Sequence, residues 1–99
     1  MDYKELTEDE LRLYESKNKD YTKGGDRYGN FHRVSAILKI WGFDIPPELV
    51  ALIYMLKQED AAFWMLSQGY EGKIENIDAR LRDVHIYAKI ARILHGGAI

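Results

Sequence analysis

Apolar residues recur at intervals of three and four positions through most of this chain, and few segments alternate between apolar and polar residues. The first pattern is typical of helices that bury one face, whereas half-buried strands would show the second. We therefore predict an all-α fold: an antiparallel bundle of about four helices, the last two long, at about 30 Å each. A chain of 99 residues is expected to form one helical domain over 1–99. The predicted helices are 8–20, 30–41, 48–67 and 75–94.

Residues with special backbone preferences mark the predicted helix ends. Thr7 and Glu10 have the spacing of a capping box, in which two side chains bond free N–H groups at a helix start. Gly42 is expected to end the second helix, and the third is expected to begin near Pro47 and to end at Gly69. The fourth helix is expected to begin close to two polar residues, Asn76 and Asp78.

The third helix is apolar on almost every side when residues are placed about 100° apart. The arc that we expect to face the core consists of Leu49, Leu52, Ile53, Leu56 and Phe63. Glu59 and Asp60 fall within this arc, so their carboxylates are predicted to point inward. The outer side is then formed by Tyr54, Met55, Trp64 and Met65. Apolar residues outside a core favour contact between subunits, so we predict a homo-oligomer with Tyr54, Trp64 and Met65 at its interface.

The second and fourth helices each have a narrower apolar stripe. The stripe of the second helix contains Phe31, Val34, Ile37, Leu38 and Trp41. That of the fourth helix contains Ile77, Leu81, Val84, Ala88 and Ala91, and its basic outer face contains Arg82, His85, Lys89 and Arg92. Asp83 lies between Tyr87, Ile90 and Leu94, so we expect it to be partly withdrawn from water.

Composition narrows the classes of function. The chain is 46% hydrophobic and 30% charged, and it has no cysteine, which excludes disulfides, thiolate metal sites and a cysteine nucleophile. No apolar run approaches the length of a membrane span, and the first ten residues do not resemble a signal peptide, so a cytoplasmic location is expected. The net charge of −2 argues against an extended nucleic acid as partner.

Charge is nevertheless distributed in blocks. Residues 1–16 and 40–71 each have a net charge of −4, whereas 17–39 have +4 and 72–99 have +2. The basic block surrounds a predicted loop at 21–29 with three glycines, which indicates a local site for an anion. Its candidate phosphate ligands are Lys19, Lys23, Arg27, Asn30 and Arg33.

Two explanations keep the acids Glu59, Asp60 and Asp83 inward, and a third is that the helical projection misplaces them and they face outward. Burying an isolated carboxylate costs several kcal/mol, so each acid needs a cation or hydrogen bonds. The acids could pair with Lys57, Arg80 or tyrosine hydroxyls within the bundle or across a subunit interface. Alternatively, two facing helices could present their oxygens to a hard cation such as Mg²⁺.

Several short motifs follow one another in a recognisable order. They are Lys19-Asp20-Tyr21, Asn30-Phe31, Arg33-Val34, a helix through Lys57, and Arg80-Leu81-Arg82-Asp83-Val84 with Tyr87. In this order and spacing the chain, from about 14 to 94, resembles the MazG-like all-α NTP pyrophosphohydrolases, and among them small phage proteins of the nucleotide-modification type. The resemblance implies a Mg²⁺-dependent attack of water on a nucleoside triphosphate, which yields a monophosphate and pyrophosphate.

The metal motif of that family is depleted in this chain. Its E-E-x-x-E and E-x-x-D patterns align with Glu59 and Asp83, which become the implied catalytic residues and, with Asp60, the implied Mg²⁺ ligands. Met55, Leu56 and Arg80 stand where three further acids are expected. An arginine there opposes a cation and favours an anion, so Lys57 and Arg80 are candidate phosphate ligands.

Two functions therefore remain open. The first is a MazG-like nucleotide-binding protein of phage or prophage type, with weak or lost pyrophosphohydrolase activity. The second is a non-catalytic interaction protein that inhibits or sequesters a host factor or a nucleotide signal.

Overall fold

A computed structural model describes residues 1–22 and 28–96, apart from the side chains of 18–22. Helices form almost all of the described chain, and no strand occurs in it, which confirms the predicted all-α class. None of the described helices is long and apolar enough to cross a membrane. The helices are α1 (Tyr3–Thr22), α2 (Gly29–Ile40), α3 (Pro47–Gln68) and α4 (Ile77–His95).

The chain divides into two compact units, Met1–Asn30 and Phe31–Ile99. The first contains α1, and the second contains α3, α4 and nearly all of α2. The prediction of one domain over 1–99 stays a prediction. The arrangement within the second unit is what positions the candidate site.

Helix α1 begins five residues earlier than predicted, and Thr7 does not cap it. The backbone N–H of Glu5 donates to Oδ1 of Asp2 at 2.8 Å, so Asp2 caps the helix. The hydroxyl of Thr7 instead donates back to the carbonyl of Tyr3 at 2.8 Å. Two segments of the chain have a capping residue three positions before a glutamate: Asp2 with Glu5, and Thr7 with Glu10. A helix that begins after Asp2 has more than one additional turn of backbone hydrogen bonds, so the earlier cap is used.

The end of α2 and both ends of α3 follow the glycine and proline positions, as predicted. Gly42 has φ of 89°, and the N–H of Phe43 donates to the carbonyl of Leu38 at 2.9 Å. This is the Schellman arrangement, in which a left-handed residue lets the chain turn back and satisfy free carbonyls. Pro47 opens α3, where a missing N–H costs nothing, and Gly69 ends it with φ of 70°.

Helices α3 and α4 form an antiparallel pair. Near the start of α3, Oε2 of Glu48 lies 2.9 Å from Nδ1 of His95, at the end of α4. Midway, Arg80 reaches Gln58 at 2.7 Å. The connection between the helices ends at Asn76, whose Oδ1 accepts from the N–H of Ala79 at 2.8 Å and so caps α4, as one of the two predicted alternatives.

An aromatic cluster joins α2 to this pair. The ring of Phe31 lies 5.7 Å from that of Tyr54 in α3 and 6.4 Å from that of Tyr87 in α4, centroid to centroid. Tyr54 and Tyr87 are themselves 5.7 Å apart, with their rings nearly perpendicular. Such edge-to-face geometry is the favourable one for aromatic pairs. The hydroxyl of Ser35 adds a 2.6 Å hydrogen bond from α2 to the carbonyl of Ile45.

The predicted core arc of α3 is wrong. The buried residues of the helix are Val50, Ala51, Ala62 and Met65. All five residues of the predicted arc are exposed: Leu49, Leu52, Ile53, Leu56 and Phe63. Both sides of α3 are apolar, so hydrophobic periodicity could not select the inward one. The selected side contains two alanines, and small residues let neighbouring helix axes approach closely.

The stripes of α2 and α4 are correct only in part. In α2, Phe31 is buried and Val34 and Leu38 are half-buried, but Ile37 and Trp41 are exposed. In α4, Ala91 is buried and Ile77, Val84 and Ala88 are half-buried as expected, whereas Leu81 is exposed. The inner face of α4 instead contains Asp83 and Ile90, both buried.

Replacing Gly69 by alanine should lower the free energy of unfolding by about 1 kcal/mol, because a Cβ is unfavourable in the left-handed conformation. No atom lies within 4 Å of the added Cβ, so the effect would come from the backbone alone. Gly96 at the end of α4 has φ of −72° and provides the control. Gly96→Ala should be neutral or stabilise by about 0.5 kcal/mol. Urea unfolding followed by circular dichroism measures both, and equal losses would contradict the assigned helix ends.

Phe31→Ala should cost about 3 kcal/mol, because it removes a buried ring from contact with two others. Trp41→Ala, at the exposed end of the same helix, should change the free energy of unfolding by less than about 0.5 kcal/mol. Thermal and urea unfolding of the two variants compares them. If Trp41→Ala lowered the free energy of unfolding more than Phe31→Ala does, Trp41 would belong to the buried face of α2, as the sequence predicts.

Candidate functional site

Two groups of polar side chains lie along the pair of helices α3 and α4. Gln58, Glu75 and Arg80 contact one another, and Arg82 and Asp83 form an ion pair on α4; we call the five together the polar cluster. Nη1 of Arg80 donates to Oε1 of Gln58 at 2.7 Å and lies 3.0 Å from Oε2 of Glu75. Nε of Arg82 lies 3.5 Å from Oδ1 of Asp83.

Helical spacing explains how α4 presents this cluster. Arg80, Asp83 and Tyr87 occupy positions i, i+3 and i+7, which lie on one side of a helix. Arg80 contacts Gln58 of α3 and Tyr87 contacts Tyr54 of α3, so this side of α4 faces α3. Asp83, between them, is 7% exposed. The prediction that Asp83 is withdrawn from water is confirmed.

The Nε atoms of Arg80 and Arg82 are both buried, and neither makes a hydrogen bond within the described part of the chain. Nε of Arg82 is nevertheless ion-paired with Asp83, whereas Nε of Arg80 has no acceptor among the described residues. A guanidinium has five N–H donors in a planar fork, which matches carboxylate and phosphate oxygens. Arg80 thus has a buried donor that none of the described residues accepts from.

The three predicted metal ligands are not brought together. Asp83 belongs to the polar cluster, Glu59 is half-buried, and Asp60 is exposed. The prediction that Asp60 points inward is wrong, because α3 turns the opposite side toward its neighbours. Within residues 1–22 and 28–96, no three His, Asp or Glu side chains are close enough to hold a metal ion. The described donors therefore do not fit Mg²⁺.

The predicted phosphate ligands are placed unevenly. Arg80 is in the polar cluster, with its side chain 22% exposed. Asn30 and Arg33 of α2 are exposed, and so is Lys57 of α3. The remaining three lie outside the described side chains: Lys19, Lys23 and Arg27.

The predicted interface residues of α3 are divided between its two sides. Trp64 is 57% exposed, in agreement with its assignment to the outer side. Met65 is buried and Tyr54 is half-buried in the aromatic cluster, so both were assigned to the wrong side. The error has the same cause as the inverted core arc.

Sequence reasoning did not identify Gln58, Glu75 or Arg82 as site residues. Arg82 was placed on the basic outer face with His85, Lys89 and Arg92, but its side chain is only 27% exposed. The other three are exposed, as predicted. A signal for Gln58 did exist, since it follows Tyr54 by one turn on the side of α3 that proves to be inner.

A shallow depression of about 260 Å³ lies beside the connection between α3 and α4. It is lined by Met65, Leu66, Gly69, Tyr70, Glu71 and Ile77. None of the predicted phosphate or metal ligands lines it, and its volume is below the usual range for small-molecule pockets. It is not the candidate site.

Comparison with family models, curated proteins and solved structures gives no match for this chain. The resemblance to MazG-like proteins stays a prediction, carried by the motifs quoted above.

Gln58 and Arg80 should be energetically coupled, because their 2.7 Å hydrogen bond involves a charged donor in a partly buried place. A double-mutant cycle with Gln58→Met and Arg80→Met should give a coupling energy of about 1 kcal/mol from urea unfolding. Arg92 lies three turns further along α4 and is exposed. The control cycle with Gln58→Met and Arg92→Met should give a value near zero. Equal values in the two cycles would contradict the assigned contact.

Proposed function

We propose that this protein binds a phosphorylated ligand of the nucleotide class, in the manner of a MazG-like protein that has lost its metal-dependent turnover. The observation that carries the proposal is the placement of Arg80 between the two long helices. Its guanidinium is held by Gln58 and Glu75, and its buried Nε donor has no acceptor among the described residues.

An arginine held in this way is suited to an anion. Two contacts fix the orientation of its Nη1 in the free protein, so less side-chain entropy is lost when a ligand binds. Paired N–H donors match two phosphate oxygens at once. Arg80 also stands where the resembled family has an acidic metal ligand, so the charge at this position is reversed.

Hydrolysis is not part of the proposal. The family reaction needs acids that converge on a magnesium ion. Here Asp60 lies on the exposed side of α3, and Asp83 is ion-paired with Arg82 at 3.5 Å. These positions do not support a cation-assisted attack of water.

Titration with nucleoside triphosphates, followed by ³¹P NMR, tests the proposal. We expect the phosphate resonances of at least one of the eight common ribo- and deoxyribonucleoside triphosphates to shift or broaden with stoichiometric protein and Mg²⁺. Arg80→Lys should weaken that binding by about tenfold or more, because lysine keeps the positive charge but lacks the paired N–H donors of the guanidinium. Arg92→Lys, in the same helix but exposed, should bind as the wild type does.

Each further outcome has a definite meaning. Unchanged spectra for all eight nucleotides would overturn the proposal, and a growing pyrophosphate signal would overturn the loss of turnover. If Arg80→Lys proves unstable by circular dichroism, the triple variant Lys19→Gln, Lys23→Gln and Arg27→Gln takes its place. Its control, Lys39→Gln, Lys73→Gln and Lys89→Gln, removes the same charge from exposed positions.

One observation favours a second function, that of a non-catalytic interaction protein. The exposed side of α3 is apolar over most of its length, from Leu49 to Leu66. Surfaces of this kind are typical of contacts between proteins. Under this function Trp64→Ala would abolish association with a partner, while Arg80→Lys would leave that association intact.

A further inference from the structure

The exposed side of α3 is apolar over most of its area. We call it the outer face, and its apolar members are Leu49, Leu52, Ile53, Leu56, Phe63, Trp64 and Leu66, which are 38–67% exposed. Their spacing of three and four keeps them on one side of the helix, opposite the buried Ala51, Ala62 and Met65.

A helix that is apolar on two opposite sides is normally covered on both. At roughly 200 Å² for a large side chain, within the range for aromatic residues, these exposed fractions amount to on the order of 700 Å². This exceeds the largest apolar patch of most monomers, about 300–600 Å². It is close to the roughly 800 Å² that each partner contributes to a standard protein interface.

The charges on the outer face indicate what covers it. Lys57 and Asp60 are both exposed there, three residues apart and opposite in sign. By helical projection Asp60 lies near the middle of the face, among Leu56, Phe63 and Trp64. Covering it with an apolar surface would bury an unpaired carboxylate at a cost of several kcal/mol. The covering surface must therefore carry a cation opposite Asp60, and its remainder must be apolar.

The chain itself meets both requirements. We infer that the outer face of α3 binds the outer face of a second copy of this chain, with the two α3 helices antiparallel. A two-fold axis midway between Lys57 and Asp60 places Lys57 of each copy beside Asp60 of the other. The same axis places Ile53 of each copy beside Trp64 of the other, so the apolar parts also match.

Such a contact is isologous, because the same surface serves both copies. Its two ion pairs would lie inside an apolar rim, where screening by salt is weaker than at an open surface. The inference is independent of the nucleotide proposal, because the outer face lies opposite the side of α3 that carries Gln58.

Sedimentation equilibrium of the full chain without nucleotide tests the inference. The wild type should sediment as a dimer at micromolar concentration. Lys57→Asp puts two acids opposite each other, and Asp60→Lys puts two lysines opposite each other. Each variant alone should raise the dimer dissociation constant by about tenfold or more, since like charges in an interface are repulsive.

Mixing the two variants provides the decisive measurement. A heterodimer of Lys57→Asp with Asp60→Lys has one ion pair as in the wild type and one with its signs exchanged, so no like charges face each other. The mixture should therefore form dimers more tightly than either variant does alone. Lys89→Asp, at an exposed position of α4, is the control and should sediment as the wild type does. Circular dichroism of each variant checks that the helices remain folded.

Three results would overturn the inference. The first is a wild type that is still monomeric at about 100 μM. The second is a dimer whose dissociation constant is unchanged by Leu56→Asp and by both charge variants. The third is a mixture of the two charge variants that stays monomeric although each variant is folded. In the first case, acrylamide quenching of Trp64 in a Trp41→Phe background identifies the occupant. A protected Trp64 would mean that another part of the same chain covers the face, and an accessible one would leave the face open to a different protein.

Discussion

The rotation of α3 about its own axis is the constraint on which the rest of the second unit depends. Its inner side contains Ala51 and Ala62, together with Val50 and Met65, all of them buried. Small side chains allow a close approach between helix axes, and larger ones on the opposite side would hold the helices apart. Once that side faces inward, Tyr54 meets Phe31 and Tyr87, and the larger aliphatic residues of α3 are left outside.

The same rotation creates the polar cluster. It brings Gln58 to the level of Arg80, and the hydrogen bond between them sets how far α4 is displaced along α3. Polar contacts inside an interface contribute less to stability than well-packed apolar ones, but a shifted register would leave their donors unpaired. The proposed ligand site at Arg80 and the structural pairing of the two long helices are therefore parts of one arrangement.

The outer face follows from the same cause. A helix with apolar residues on both sides offers two surfaces of similar hydrophobicity, and the fold of one chain uses one of them. The other surface contains the bulkier residues, including Phe63 and Trp64, and a pair of opposite charges. The side that is less suited to close packing within the chain is the better suited to contact with another protein, where aromatic residues contribute most.

Residues that end or begin a helix through their local backbone conformation could be predicted from the sequence. Gly42, Pro47, Gly69 and Asn76 mark helix ends because φ preferences and capping bonds are local, and the all-α class follows from the period of the apolar positions. The predicted start of α1 was wrong because Asp2 and Thr7 both have the sequence of a local cap, and only the full length of the helix distinguishes them.

Residues whose burial or contacts depend on a neighbouring helix could not be predicted in this way. The burial of Asp83 was predicted because apolar residues surround it on its own helix, whereas its neighbours Arg80 and Arg82 needed the contacts of α3 and α4 to be placed. The amino-acid sequence by itself determined the class, the helix ends at Gly42, Pro47, Gly69 and Asn76, and the approximate lengths of α3 and α4. Only the tertiary structure decided which side of α3 is buried, because two apolar sides have nearly equal transfer free energies and the choice between them depends on the shape of the helices they meet.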